Sequence, residues 1–162
     1  MGKTMSLLLL EMPGAVYSSL VGDLARSGKG MKEAGAFLLG EFDDTGRRVT
    51  SYLMYDIVAP QSSLEHDYVA FTAEEMARAW DHCYRTGLKV VADVHTHPLG
   101  PAQSATDRAH PIVSLTGHLA LIVPFFALRN PRPVDLGVHV FLGAGQWRSM
   151  FGQQAHDAIL LK

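Results

Sequence analysis

The stretch Leu88-Lys89-Val90-Val91-Ala92-Asp93-Val94-His95-Thr96-His97-Pro98 carries both a core strand and a candidate chemical site. Its apolar first half predicts a largely buried strand, and Pro98 ends the ladder because proline has no backbone N–H to donate. Side chains on a strand alternate between two faces, so His95 and His97 are expected to point the same way. The sequence therefore predicts two neighbouring imidazoles at a strand end, with a loop beyond them.

A second pattern, Ser104-Ala105-Thr106-Asp107, follows this loop. A serine followed three residues later by an acid is typical of a helix start. The first turn of a helix brings positions three apart to one side, so Asp107 can act in the cap and still face the histidines. Two imidazoles and one carboxylate suit a zinc ion that keeps one position for water, whereas structural zinc sites use four protein ligands.

Hydrolysis at such a site also needs a carboxylate that accepts the proton of the attacking water and passes it to a leaving amine. Glu33 is the best candidate, because it opens the otherwise apolar stretch 34–40. A charge at that point is costly unless it is exposed or used. The pattern therefore predicts a catalytic metal site.

The composition is typical of one soluble globular domain. The 162 residues carry a net charge of -2, and 48% are apolar and 19% charged, which gives no electrostatic case for binding nucleic acid or an acidic membrane. No apolar run approaches the roughly 20 residues needed to cross a bilayer. The single cysteine, Cys83, excludes an intramolecular disulfide and a cysteine-based zinc finger. We expect one domain over residues 1–162, located in the cytoplasm.

Hydrophobic periodicity predicts an α/β sandwich, in which helices flank a mixed sheet. In the main helix, Thr72 and Glu75 form a predicted capping box, and Met76, Trp80 and Cys83 are expected on the buried side. The predicted strands cover residues 5–12, 33–42, 48–58, 66–71, 88–94, 118–124, 135–142 and 146–151, and the predicted helices cover 15–27 and 73–85. A short helix is expected within 105–115, broken or kinked near Pro111, and the tail 153–162 is expected to be helical or frayed.

Together these motifs resemble the JAMM (MPN+) metalloproteases, zinc isopeptidases that remove ubiquitin or ubiquitin-like proteins. The stretch Glu33-Ala34-Gly35-Ala36-Phe37-Leu38-Leu39-Gly40 is similar to the family's Glu-x-x-Gly-x-Leu-x-Gly strand, with Leu38 and Gly40 in register. The stretches 95–98 and 104–107 match the family's His-Ser/Thr-His-Pro and Ser-x-x-Asp motifs. The resemblance is greatest to the prokaryotic branch, some of whose members serve bacterial ubiquitin-like conjugation systems, including antiviral ones.

The resemblance implies a JAMM/MPN fold, which is a cytidine-deaminase-like sandwich. It implies that His95, His97 and Asp107 bind Zn2+. It also implies that Glu33 is the general acid/base and that Ser104 donates a hydrogen bond to the developing oxyanion. The implied activity is cleavage after the C-terminal tail of a ubiquitin-like protein. The implied partners are that protein or its conjugates, with E1-like and E2-like enzymes of the same system.

Two departures from the family pattern matter. Six residues separate His97 from Ser104, where the family usually has seven. Asp93 occupies a position that is often a bulky aromatic, and it either orients a ligand histidine or faces solvent or caps a neighbour. Three later histidines are expected to be satisfied structural groups: His110, His118 and His139.

Other interpretations of the same residues stay open. A metal hydrolase of similar mechanism could act on a small molecule or on a sulfur-carrier conjugate. A non-catalytic scaffold of the same fold is a third possibility, although degenerate scaffolds usually lose the ligands that this chain keeps. Two histidines and one carboxylate also suit non-haem iron.

Overall fold

The strand that ends in the two histidines is the fourth from one edge of an eight-stranded mixed sheet. The sheet is seen in a computed structural model, which describes residues 8–59 and 70–162. In chain order, the elements of these ranges are β1 (Leu10–Met12), α1 (Gly14–Gly28), β2 (Gly35–Asp43), β3 (Gly46–Met54), α2 (Tyr55–Val58), α3 (Ala73–Thr86), β4 (Lys89–Thr96), α4 (Ala105–Ala109), β5 (Leu119–Val123), β6 (Gly137–Gly143), β7 (Gln146–Met150), α5 (Gln153–Ala158) and β8 (Ile159–Leu161), with short 3-10 turns at Phe125–Ala127 and Pro133–Asp135.

Strand β4 lies at the centre of the sheet, between β2 and β5. The order across the sheet is β7-β6-β5-β4-β2-β3-β1-β8, and β4 is antiparallel to β2 and parallel to β5. The last six residues of β4 and all of β5 are buried, as expected for near-continuous apolar strands that are covered on both faces. The imidazoles therefore stand on the most enclosed part of the sheet.

Helices cover both faces of this sheet. Leu38 of β2 belongs to the larger core, with Leu24 of α1 and Ala158 of α5. Its neighbour Phe37 belongs to the smaller core, with Ala79 of α3. Since neighbours on a strand point to opposite faces, α1 and α5 lie on one side and α3 on the other. This arrangement confirms the expected fold class.

Helix α3 has the predicted capping box. The backbone N of Glu75 donates to Thr72 Oγ1 at 3.1 Å, and the backbone N of Thr72 donates to Glu75 Oε1 at 2.8 Å. The prediction of its buried side was wrong for Trp80, which is 46% exposed, whereas the other two positions pack against the smaller core. Trp80 follows the buried Ala79 by one residue, and that rotation of about 100° turns the indole to the rim of the contact.

One predicted boundary is also wrong. The strand predicted to reach Val58 ends at Met54, and α2 begins at Tyr55. Tyr55 and Val58 are both buried, and apolar residues three apart suit a helical turn as well as a strand end. The short helix expected within 105–115 ends at Ala109, in agreement with the expected break near Pro111, because the residue before a proline is biased away from helical geometry.

The first and the last strand of the described residues lie beside each other in the sheet. The tail forms α5 and β8, and β8 pairs with β1 in parallel, so a frayed tail is not what the structure shows. The predicted strand 5–12 is seen as β1 from Leu10, while residues 1–7 and most of the predicted strand 66–71 lie outside the described residues. Within the described ranges, no helix has the length and apolar character needed to cross a membrane.

Candidate metal centre

The β2–β4 ladder brings Glu33 beside the histidines. Gly35 pairs with His95, and the ladder continues past the start of β2 through Thr96. The backbone N of Thr96 donates to the Ala34 carbonyl at 2.8 Å, and the backbone N of Ala34 donates to Thr96 Oγ1 at 2.9 Å. The buried threonine between the histidines therefore fixes the backbone next to Glu33.

Three side chains meet at this point. The Nε2 atoms of His95 and His97 lie 3.1 Å apart, and Glu33 Oε1 lies 3.7 Å from His97 Nε2. One ligand atom from each of Glu33, His95 and His97 falls within 4.8 Å of the others. His95 is 6% exposed, so the cluster is accessible mainly from the side of His97 and Glu33.

Asp107 completes the cluster from the start of α4. Its backbone N donates to Ser104 Oγ at 3.0 Å, and its Oδ2 accepts from the backbone N of Ser104 at 2.9 Å. The same carboxylate places Oδ2 3.0 Å from His97 Nε2 and Oδ1 3.5 Å from His95 Nε2. The capping box therefore aims Asp107 at both imidazoles, as the spacing of the motif predicts.

The separations of these atoms fit a metal ion. Four donors at zinc bond lengths of about 2.0–2.1 Å lie about 3.3 Å from one another in a tetrahedron. The two imidazole nitrogens and the Asp107 oxygens are separated by 3.0, 3.1 and 3.5 Å. Glu33 is farther away, at 3.7 Å from His97. Either carboxylate could complete a ligand set, and Asp107 contacts both imidazoles.

Charge in the cluster also favours a cation. Burial alone would raise the pKa of Asp107, but hydrogen bonds from His95 and His97 outweigh it and hold the pKa well below its ordinary value. Burial also opposes the charged form of His95, yet the adjacent carboxylates, Asp107 foremost, raise its pKa. A positive charge at His95 is thus stabilised by the groups that surround it.

A buried polar pair lies behind His95. Asp93 is 1% exposed, and its Oδ2 accepts a hydrogen bond from His118 Nε2 at 2.7 Å. The expectation that Asp93 faces solvent is therefore wrong, while the expectation of a structural role for His118 is confirmed. The second oxygen of Asp93, His95 Nδ1 and Gln103 Oε1 have no hydrogen-bond partner among the described residues. All three residues line one narrow cavity. A water molecule fits in it, because about 20 Å³ is open to the molecule's centre.

His139 contacts the loop beside the metal centre, which the sequence did not predict. It is buried as expected, and its ring nitrogens contact Ser149 Oγ at 2.7 Å and the Pro101 carbonyl at 3.0 Å. Pro101 lies in the loop between His97 and Ser104. Only the register of the sheet brings His139 near the centre, because His139 pairs with Ala120 and Ala120 pairs with Asp93.

Comparison with known proteins gives the fold and the family. A model of prokaryotic homologues of the JAB domain matches residues 16–135. A "Probable metalloprotease y4jG" from Sinorhizobium fredii (strain NBRC 101917 / NGR234) is 40% identical over 63 residues, which cover 39% of this chain and only 38% of that protein.

Two solved structures share the fold at low sequence identity. The solution structure of protein DSY2949 from Desulfitobacterium hafniense has a TM-score of 0.67 at 18% identity, and covers 95% of this chain and 93% of its own. A protein from Salinibacter ruber has a TM-score of 0.61 at 22% identity, with 94% and 91% covered. The family model spans most of the chain and contains all five predicted site residues, so the chain belongs to the family of prokaryotic homologues of the JAB domain.

Proposed function

We propose that this protein is a zinc-dependent JAMM-type peptidase that cleaves after the C-terminal tail of a ubiquitin-like protein. The observation that carries the proposal is the meeting of two imidazoles and two carboxylates at the end of β4. Membership of the JAB-domain family supports a metal-dependent hydrolase. The ubiquitin-like substrate rests on the resemblance to JAMM isopeptidases.

The ligands of the ion are His95, His97 and Asp107 in this proposal. Asp107 reaches both imidazoles within 3.5 Å, and nitrogen and carboxylate donors suit zinc in a three-ligand catalytic site. Bound there, zinc supplies Lewis acidity, which polarises a carbonyl and lowers the pKa of a water to about 7. The described residues place no fourth side chain as close to both imidazoles.

Glu33 is the proton carrier in this mechanism. Its carboxylate is 3.7 Å from His97 Nε2 and its side chain is 18% exposed, so it borders both the ligands and the open side of the site. There it accepts a proton from the attacking water and passes it to the amine that leaves. Glu33 lies just before β2 and Asp107 lies in α4, so the two carboxylates are held by separate elements and can have different roles.

Ser104 stabilises the developing oxyanion in the same mechanism. Its hydroxyl oxygen accepts a hydrogen bond from the backbone N of Asp107, and this leaves the hydroxyl proton for a substrate oxygen. Ser104 lies at the exposed end of the loop, where an extended peptide tail can reach it. A donor in this role is worth about 2.7–4 kcal/mol of transition-state stabilisation.

Two measurements test the proposed function. Protein purified from metal-replete medium is expected to hold about one zinc per chain by elemental analysis, as a three-ligand site predicts. It is then given ubiquitin-like proteins fused through their terminal glycine to a reporter, with Glu33→Gln as the inactive control. Cleavage after that glycine, absent in the control, is the expected result.

Other outcomes favour the alternatives. Zinc-loaded protein that cleaves small amides or sulfur-carrier conjugates but no protein fusion would be a hydrolase of small conjugates. Folded protein that binds no zinc would be a scaffold, and preferential retention of iron under anaerobic conditions would indicate a non-haem iron site.

A further inference from the structure

We infer that His139 is a positioning residue, which holds the loop of the metal centre in place through the carbonyl of Pro101. The inference rests on the proposed function, because the loop matters only if Asp107 binds a metal. His139 belongs to the β6–β7 hairpin, which begins at Gly137. The family model ends at residue 135, so this hairpin lies outside the residues it matches.

Both ring nitrogens of His139 have a defined partner. Nε2 lies 3.0 Å from the Pro101 carbonyl oxygen, which can only accept, so Nε2 carries the proton. Nδ1 therefore accepts the hydroxyl proton of Ser149, whose Oγ is 2.7 Å away. The ring is 0% exposed, and burial lowers the pKa of His139 to about 4, so the ring stays neutral at neutral pH. The Pro101 carbonyl thereby selects the tautomer, and the Ser149 hydroxyl, which can donate or accept, satisfies the other nitrogen.

Gly137 makes room for the same carbonyl. A Cβ at this position would lie 2.1 Å from the Pro101 oxygen and 2.7 Å from His139 Nε2. A side chain there would push the loop off the strand. Gly137 and His139 together form a binding position for the Pro101 carbonyl on one face of β6. Gly137 leaves the space, and His139 donates the hydrogen bond.

The contact between His139 and Pro101 holds a part of the loop that has little other support. Residues 98–100 are exposed and Pro101 is half-buried. Among the hydrogen bonds of the described residues, the contact with His139 is the one that ties residues 100–103 to the sheet. The same hairpin also contacts α4, because Trp147 Nε1 donates a hydrogen bond to the Arg108 carbonyl at 3.0 Å. The hairpin therefore holds the chain on both sides of Asp107.

The short loop makes this anchoring important. Six residues join His97 to Ser104, so a shift of Pro101 is passed to Ser104 and Asp107 with little slack. Loss of a group that orients metal ligands typically weakens metal affinity or activity by about 10- to 100-fold. We expect the same range when Pro101 loses its donor.

Two amide variants separate the hydrogen bond from the volume of the ring. In His139→Gln the side-chain amide nitrogen can occupy the position of Nε2 and donate to Pro101. In His139→Asn the shorter side chain brings its amide only to the level of Nδ1, beside Ser149. The readouts are zinc affinity by chelator competition and the visible spectrum of the cobalt-substituted protein, which reports ligand geometry.

His139→Gln is expected to bind zinc within about 3-fold of wild type and to keep its cobalt spectrum, whereas His139→Asn is expected to bind at least about 10-fold more weakly. Equal affinity in the two variants would overturn the inference. Wild-type protein that binds no zinc would instead overturn the proposed function. Urea unfolding of the metal-free variants gives their free energies of unfolding. We expect the loss of zinc affinity in His139→Asn to exceed what any loss of stability explains.

A measurement on the wild-type protein tests the inference even if His139→Asn does not fold. Long-range proton–nitrogen NMR distinguishes the two neutral tautomers of histidine. We expect His139 to carry its proton on Nε2, with and without zinc. A proton on Nδ1, or a nitrogen shift that moves on zinc binding as for a ligand, would contradict the proposed role.

Discussion

Two carboxylates flank the imidazole pair, and their distances predict different consequences when each is removed. Asp107 reaches both imidazoles, and Glu33 lies 3.7 Å from one of them. We therefore expect Asp107→Ala to lose most of the bound zinc while the chain stays folded, because a three-ligand site becomes a two-ligand site. Glu33→Gln should retain zinc and lose turnover by at least about 100-fold, the scale of general acid–base catalysis. Elemental analysis and a cleavage assay on both variants test this, and the opposite pattern would make Glu33 the third ligand.

Ser104 has two roles that substitutions can separate. As a helix cap it stabilises α4, and a change to alanine costs about 1 kcal/mol in the free energy of unfolding. As an oxyanion donor it is expected to contribute about 100- to 1,000-fold to kcat. Ser104→Ala should therefore show both losses, and Ser104→Thr, which keeps a hydroxyl, should recover most of each. If kcat falls only in proportion to lost zinc, Ser104 acts solely through the cap.

At the scale of elements, β4 and β5 are joined beneath the centre by the buried pair Asp93 and His118, 2.7 Å apart. Asp93→Ala leaves His118 without this partner, and loss of a buried hydrogen bond to a charged group costs about 1.5–3 kcal/mol in the free energy of unfolding. Asp93→Asn keeps an acceptor for the His118 N–H and should cost less. Urea unfolding of the metal-free proteins measures the difference. Equal losses would show that the acceptor is not what matters at this position.

The elements around the centre differ in how far their sequence predicts them. β4, the cap of α3 and the cap of α4 could be predicted, because apolar runs and Thr72–Glu75 or Ser104–Asp107 spacings are local signals. Trp80 was misplaced because burial depends on how closely the helix approaches the sheet. The contact between His139 and Pro101 joins residues 38 apart, and only the register of β4, β5 and β6 brings them together.

At the scale of the whole molecule, the sheet gathers one site from distant parts of the chain. Glu33 lies just before β2, the histidines lie at the end of β4, Asp107 lies in α4, and the β6–β7 hairpin contacts the loop between β4 and α4. The motifs predicted the side chains that meet at the centre, because metal-site chemistry restricts residue type. They could not predict the partners of the supporting histidines, Asp93 for His118 and Pro101 for His139, since such contacts depend on the tertiary fold. Besides positioning the loop, His139 is expected to contribute to the free energy of unfolding of the whole domain.

The pH dependence of the free energy of unfolding tests the contribution of His139. Its pKa is lowered from 6.5 to about 4 when the chain folds, first by burial. The unfolded chain therefore takes up a proton between these values that the folded chain does not. The stability that depends on neutral His139 is fully present above about pH 6.5 and is lost as the pH falls toward 4, by about 3 kcal/mol for a shift of this size.

Urea unfolding of metal-free wild type and His139→Gln at pH 7 and pH 4 isolates this contribution. His95, His97 and Asp107 act electrostatically on His139 and are present in both proteins, so their own contributions largely cancel in the difference. Because glutamine does not titrate, the stability of wild type relative to the variant should fall by about 3 kcal/mol from pH 7 to pH 4. A difference that stays constant over this range would mean that the ring is not held neutral, and that the loop is not seated on it as the structure indicates.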